Sequence, residues 1–392
     1  MPKVRNSLSS VTTSVDKAHG LPNEHYVSDE VFSKEKRSIL FDSWAGIGFT
    51  SDVPAPGDVK PISFLGMPLL LVRDHEGTIK VFQNTCRHRG MILVQQPASI
   101  KKVVRCPYHS WCYALDGSLQ ATPHVGGPGC NVHESIKRDE LGLHEIASSV
   151  WLGVVFVNVS GDADSFEKYN ETLASRWHEF ATLPLLGDPE STFTLDVKSN
   201  WKLAVENYCE SYHLPWIHPG LNSYSRLQDH YNIEQRGAFS GQGSYVYRQL
   251  KDDDGHGFED LGALSEAWDT GAEYIALYPN VLLGVHRDHT IAIVLEPVGI
   301  NHTVEHIGFF YSEKCAKSEE FTSLRMKNRN LWKEVFIEDI GVVEGMQVGR
   351  SGYFFDGGKF SPAMDGPTHN FHNWVATKLS SDSVSVVDEK VG

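Results

Sequence analysis

Apolar residues at helical spacing set in near Tyr26 and run through Val31, Phe32, Ile39, Leu40 and Phe41, which predicts a helix in the stretch 29–41. A Pro/Gly-rich segment, Asp52-Val-Pro-Ala-Pro-Gly57, then punctuates the chain. Beyond it the pattern shortens to runs of strand length: 68–72, a turn at Glu76-Gly77, 79–82, Val103-Val104, Ala114-Leu115 with a hairpin signal at Asp116-Gly117, and 151–157. Closely spaced short strands without intervening helices predict an all-β unit.

After Asn158 the pattern changes. Helical spacing over 166–180, a strand over 193–197 and an amphipathic helix over 201–210, broken by Pro215, precede strand-like runs at 273–285, 290–297 and 304–311. A long helical pattern over 324–347 closes the domain. The fold class predicted is α+β: an N-terminal all-β domain, then an α+β domain of antiparallel sheet with a long C-terminal helix, of helix-grip type. The divisions are an N-terminal arm and helix over 1–43, the all-β domain over 44–158, the α+β domain over 159–380 and a frayed Ser/Asp/Val-rich tail over 381–392.

Composition narrows the function classes. The 392 residues carry 35 Lys plus Arg against 50 Asp plus Glu, a net charge of −15, which argues against nucleic-acid binding. No apolar run approaches the roughly 20 residues of a membrane span. The six cysteines are sparse and irregularly spaced, and the N-terminus lacks the apolar core of a secretory signal, so a reducing, cytoplasmic setting is expected. The Ser/Thr-rich start is read as a flexible arm.

Chemistry enters with Cys86-x-His88 and Cys106-x-x-His109, separated by residues 89–105. A Cys2His2 zinc site uses the same ligands, typically with both Cys on one element and both His on another. Here each loop supplies one of each, which suits a Rieske [2Fe-2S] centre, where one iron takes two Cys and the other two His. The flanks Cys86-Arg-His-Arg-Gly90 and Cys106-Pro-Tyr-His-Ser-Trp111 closely resemble the paired loops of the Rieske family.

A second constellation lies in the larger domain. On a helix ending near Pro215, Glu206, Glu210 and His213 share one face, and His218 returns towards the same point. Two imidazoles plus a carboxylate form the facial triad of non-haem Fe(II) oxygenases, with positions left open. For the acid, Glu338, Asp339 and Glu344 are candidates. Asp339 lies within or beside the stripe of Leu331, Trp332, Val335, Phe336, Ile340 and Val343, where a charge is costly unless it binds something. Glu338 and Glu344 sit further round and are read as solvated or structural.

The combination resembles the catalytic α subunit of Rieske-type non-haem iron oxygenases, the aromatic-ring-hydroxylating oxygenases, from about Tyr26 to Gln347. It rests on both loops, Asn200-Trp-Lys202, Glu206-Asn-Tyr208, Tyr212-His213, His218-Pro219 and Glu338-Asp339. The resemblance implies a Rieske [2Fe-2S] cluster on Cys86, His88, Cys106 and His109, and a mononuclear Fe(II) on His213, His218 and Asp339. It also implies a homotrimeric core or a multiple of it. A carboxylate couples the two metal sites of neighbouring subunits; most of the family has Asp there and this chain has Glu210, as in the branch acting on quaternary ammonium compounds. Leu214-Pro-Trp-Ile217 departs from the Cys-rich version of that branch.

The function expected is a terminal oxygenase that hydroxylates, N-demethylates or cleaves a small organic substrate, a betaine- or carnitine-like quaternary amine. Hydroxylation of an aromatic compound or acid is the alternative, and an electron-transfer protein with a non-catalytic binding domain the rival class. Electrons come from NAD(P)H indirectly, through a flavin-dependent reductase or a ferredoxin, because the chain shows no dinucleotide- or flavin-binding signature. Arg87, Arg89, Lys101, Lys102 and Arg105 offer a basic docking patch for an acidic donor. Trp216, Tyr278 and Phe309, with Tyr274 and Phe310, are candidates for the substrate wall. His286, Arg287 and His289 are candidates to orient a carboxylate.

Overall fold

The computed structural model describes residues 7–388, which divide into a compact unit over Ile47–Gly161 and a second made of the flanking segments, 7–46 and 162–388. The first is all-β. A seven-stranded sheet runs in the spatial order Ala45–Phe49, Val154–Asn158, Glu145–Trp151, Ile79–Gln83, Met67–Arg73, Asp58–Phe64, Ala98–Ser99. A three-stranded sheet is built from Val104–Arg105, Cys112–Tyr113 and Leu119–Ala121.

The apolar run 151–157 is not one strand. Leu152 and Gly153 both take positive φ (45° and 80°) and turn the chain back, so Val154 pairs with Trp151 and Val155 with Val150 in a two-residue hairpin. Gly153 is the one turn signal in the segment, and the apolar residues on both sides of it made 151–157 read as a single strand. The core packs Leu70, Phe82, Val104, Trp111 and Tyr113 together with the two thiols of Cys86 and Cys106.

The second unit is an eight-stranded antiparallel sheet. Its order is Leu186–Gly187, His302–Tyr311, Thr290–Gly299, Val281–Val285, Ala272–Leu277, Phe239–Ser244, His230–Gln235, and Phe193–Val197 also pairs with His302–Tyr311. The run 273–285 is a hairpin, interrupted at Tyr278-Pro279. The short helix Glu313–Lys317 packs against this sheet, as do the helices Trp201–Tyr208, Thr322–Arg350 and Gly366–Asp388. The last was not expected; it replaces the frayed tail as far as Asp388, and residues 389–392 of that tail lie outside the described residues. Phe371, Val375 and Ala376 are fully buried on its inner face, and Asn370 donates to the carbonyls of Gln235 and Phe239.

The N-terminal arm is also corrected from residue 7 onward, residues 1–6 lying outside the described range. Val11, Ala18, Leu21 and Tyr26 are fully buried, and His369 bonds to the Val11 carbonyl, so the arm is part of the second unit's core. Ser28 caps the helix Asp29–Glu35. Its terminal Glu35 is buried and accepts from Lys202 Nζ at 2.6 Å, with both side chains fully excluded from solvent.

Removing one partner of such a pair strands a charge in the interior. Lys202→Met therefore costs about 3–5 kcal/mol, while the double variant Lys202→Met/Glu35→Leu recovers most of that loss. Urea unfolding midpoints of the two variants against wild type measure both.

Candidate functional site

The two loops of the all-β unit are built alike. In the first, Gly90 N–H donates to the Cys86 carbonyl (3.0 Å) and Cys86 N–H to that of Met91 (2.8 Å). In the second, Ser110 N–H donates to the Cys106 carbonyl (3.0 Å) and Cys106 N–H to that of Trp111 (2.8 Å). Each knuckle closes through a left-handed residue, Gly90 at φ 73° and Ser110 at φ 57°, a conformation free for glycine and costly for serine.

The knuckles bring His88 and His109 to a ring separation of 4.7 Å, with His88 stacked on Trp111. Both thiols are buried, and Tyr113 Oη lies 3.2 Å from Cys86 Sγ. Burial raises the Cys86 thiol above its ordinary value, and His109 Nδ1 is buried without a hydrogen-bond partner. These are atoms in want of a cation, which turns a buried thiol into a thiolate and satisfies an orphaned imidazole nitrogen. Among the described residues the four do not converge as ligands of a single ion, which fits a cluster that spreads its ligands over two irons. Of the basic residues nearby, Arg87 bonds to the Gly142 carbonyl and Arg89 lies over Tyr108, while Lys101, Lys102 and Arg105 are exposed.

In the second unit, the helix Trp201–Tyr208 is capped at its start by Asn200 and ends before Glu210. The expectation that Glu206, Glu210 and His213 share one helical face is therefore corrected. Glu210 instead takes the backbone N–H groups of Tyr212 and His213 on its carboxylate, and a new short helix, Leu214–Ile217, begins after His213 with Pro215 in its first turn. Glu206 points away into the core, where it meets Arg350 at 3.2 Å, His372 at 3.1 Å and the Tyr26 hydroxyl.

His213, His218 and Asp339 come together. Their ligand atoms all lie within 4.8 Å of one another; Asp339 Oδ1 is 3.7 Å from His213 Nε2 and 3.1 Å from His218 Nε2. Each imidazole is held from behind by a carboxylate, Glu210 Oε1 at 2.7 Å from His213 Nδ1 and Glu338 Oε2 at 2.7 Å from His218 Nδ1. With both Nδ1 atoms taken, both Nε2 atoms face Asp339, an open-sided donor set of two nitrogens and one oxygen. Asn207 donates to Asp339 Oδ1 and steadies the third member. Glu338, expected to be solvated or structural, is half-exposed yet orients His218; helical periodicity could not see a partner supplied by a distant loop. Glu344 accepts from the Lys198 backbone N–H and has a structural part.

The triad lines a cavity of about 930 Å³, counting the space at its mouth. Tyr208, Tyr224, Tyr247, Tyr274, Trp332 and Phe336 make its aromatic wall. Of the aromatic candidates only Tyr274 is among them. Trp216 is 68% exposed and stacks edge-on with Tyr212, while Tyr278 and Phe309 are buried in the core, Tyr278 donating to Ser240. Packing decides this: Tyr278, in the turn after the strand Ala272–Leu277, lies against Phe371 and Trp374, and Phe309 lies against Phe193. Arg287 is paired outward with Asp260 and Asp269, and His286 lies behind the wall, 3.0 Å from the Tyr274 hydroxyl. Burial, then His289 beside it, pushes His286 well below its ordinary value, so it is neutral.

Sequence reasoning missed His230 and Gln242, which also line the cavity. Gln242 Nε2 donates to the Glu210 carbonyl and its Oε1 accepts from His230 Nδ1 at 2.8 Å, linking wall and triad. Two isolated polar residues on separate strands give no motif. Because Glu338 sets the orientation of His218, Glu338→Ala weakens metal affinity by about 10–100-fold with the fold intact, checked by anaerobic Fe(II) titration and circular dichroism.

Two family models match. That described as Rieske [2Fe-2S] domain covers residues 43–135, and that described as ring hydroxylating alpha subunit (catalytic domain) covers 188–381. The carnitine monooxygenase oxygenase subunit of Acinetobacter pittii is 25% identical over 345 residues, 85% of this chain and 86% of that one. The glycine betaine monooxygenase oxygenase subunit of Chromohalobacter salexigens is 32% identical over 213 residues, 54% of this chain and 46% of that one. The solved structure of a quaternary ammonium Rieske monooxygenase superposes with a TM-score of 0.76 at 21% identity, covering 96% of this chain and 98% of that one. A cluster-bearing domain and an iron-bearing domain in this order need an external electron donor and a substrate. The chain belongs to the Rieske non-haem iron oxygenases and is a catalytic α subunit of that family.

Proposed function

We propose that this oxygenase acts on a small quaternary ammonium compound of the betaine or carnitine kind, by hydroxylation or oxidative N-demethylation. The observation that carries the reading is the cavity itself, whose wall joins the His213, His218 and Asp339 triad to a lining of tyrosines and tryptophan. Aromatic faces attract a cation that has no N–H to donate, and in a desolvated site such contacts are worth about 2 kcal/mol or more. The relatives named for carnitine and glycine betaine support the same substrate class.

In this reading residues 44–158 carry the cluster on Cys86, His88, Cys106 and His109, and residues 159–380 carry the iron on the triad. The triad would hold an iron whose chemistry, with electrons from the cluster that Cys86, His88, Cys106 and His109 would hold, would be the activation of dioxygen. The residues of the chain do the rest. Glu210 and Glu338 hold the two imidazoles in the tautomer that presents Nε2. Asn207 fixes the carboxylate, and the aromatic lining excludes water and places the substrate.

Glu210 is also the coupling carboxylate between the cluster of one subunit and the iron of the next in a homotrimer. Lys101, Lys102 and Arg105, with Arg87 and Arg89, form the docking face for an acidic reductase or ferredoxin in the cytoplasm, with NAD(P)H as the ultimate donor. No helix among the described residues is long and apolar enough to cross a membrane.

Product analysis of the reconstituted enzyme against glycine betaine, carnitine, γ-butyrobetaine and benzoate tests the substrate class: demethylated or cleaved amine is expected, and turnover of benzoate alone overturns it. Iron content tests the ligand set. His213→Ala is expected to lower about three irons per chain to about two with the visible spectrum of the cluster retained. Glu210→Gln, whose amide oxygen can still accept from His213 Nδ1, is expected to keep both metals and lose product, and normal turnover in that variant removes the Glu210 charge from the electron path.

A further inference from the structure

The polar groups around the cavity are mostly spoken for. Asn207 serves Asp339, Gln242 and Ser225 serve His230, Asn328 donates to the Tyr311 hydroxyl, and the hydroxyls of Tyr247 and Tyr274 are tied to Asp288 and His286. The lining holds one carboxylate, Asp339, which is engaged with His213 and His218. Against that background stands Arg248, the one Lys or Arg among the lining residues.

Arg248 follows the strand Phe239–Ser244 at the exposed rim of the cavity. Its guanidinium lies over the Tyr224 ring, 6.0 Å from the centroid, so the ring faces of the wall and the charge are contiguous. Among the described residues no carboxylate pairs with it, although the chain carries 50 acids and most other arginines of this unit, such as Arg176, Arg287, Arg325 and Arg350, have one. A permanently charged fork of N–H donors, seated on an aromatic platform at the rim of a substrate cavity, has its coordination left for a ligand.

We propose that Arg248 binds the carboxylate of the substrate. The planar fork matches two carboxylate oxygens, and no second Lys or Arg lines the cavity to balance the further charge of a phosphate. Combined with the ammonium-binding wall, on whose reading under Proposed function the full substrate class rests, this makes the substrate a zwitterion, a betaine rather than a choline. The discrimination is against uncharged and purely cationic analogues.

The test is anaerobic calorimetric binding to the holoenzyme, which reads affinity without turnover. The probes are γ-butyrobetaine with its methyl ester, and benzoate with methyl benzoate, each pair differing by the carboxylate charge. Wild type is expected to bind an acid about 10–100-fold more tightly than its ester. Arg248→Gln reduces that ratio to near one, and Arg248→Lys, which keeps the charge but not the fork, retains part of it.

An unchanged ratio in Arg248→Gln, no preference in wild type, or no binding of either acid overturns the proposal. An Arg248-dependent ratio seen with benzoate but not with γ-butyrobetaine supports the role of Arg248 and instead brings down the ammonium reading. Iron content equal to wild type in both variants shows that the binding change is not lost metal.

Discussion

Two ion pairs withdrawn from water govern the iron-bearing unit. Lys202 with Glu35 and Glu206 with Arg350 grip opposite ends of the helix Trp201–Tyr208 from the N-terminal segment and from the end of the long helix. Charges in such surroundings are costly unless their geometry is satisfied, so the helix has few alternative positions. The segment that follows it carries Glu210, His213 and His218. The precision of the metal site is inherited from a helix that itself contributes no metal ligand.

Around the triad the same logic recurs at shorter range. Each imidazole has a carboxylate behind it, and the third member has an amide. Neighbouring acids hold each histidine in the tautomer that keeps Nε2 free for a cation. The cost is negative charge gathered at the bottom of a cavity lined with aromatic rings. A cation held by the triad would offset that charge, and Arg248 adds a positive group at the rim.

The all-β unit solves a related problem differently. Two knuckles with the same hydrogen-bond closure place a cysteine and a histidine each at the end of short strands, and the thiols pack in the apolar core. The spacing of these residues is local and was fully legible. So was the association of helix and sheet, since period-two and helical patterns report which face is buried. The hairpin at Leu152-Gly153, the ordered arm and the helix Gly366–Asp388 were not legible, because each depends on partners far along the chain.

The amino-acid sequence by itself indicated the family and the class of chemistry, and local spacing singled out Cys86, His88, Cys106, His109, His213 and His218 as candidate ligands, while the place of Asp339 beside the two histidines is a matter of tertiary contact. It misplaced the substrate wall. Trp216, Tyr278 and Phe309 are as aromatic as Tyr247 and Trp332, and only the packing of strands and helices decides which rings meet solvent, core or cavity. The same holds for Glu206 and Glu338. One was read beside the metal and is bound in the core, the other was read as solvated and orients a ligand, because the break after Tyr208 turns the chain and tertiary contact alone supplies their partners.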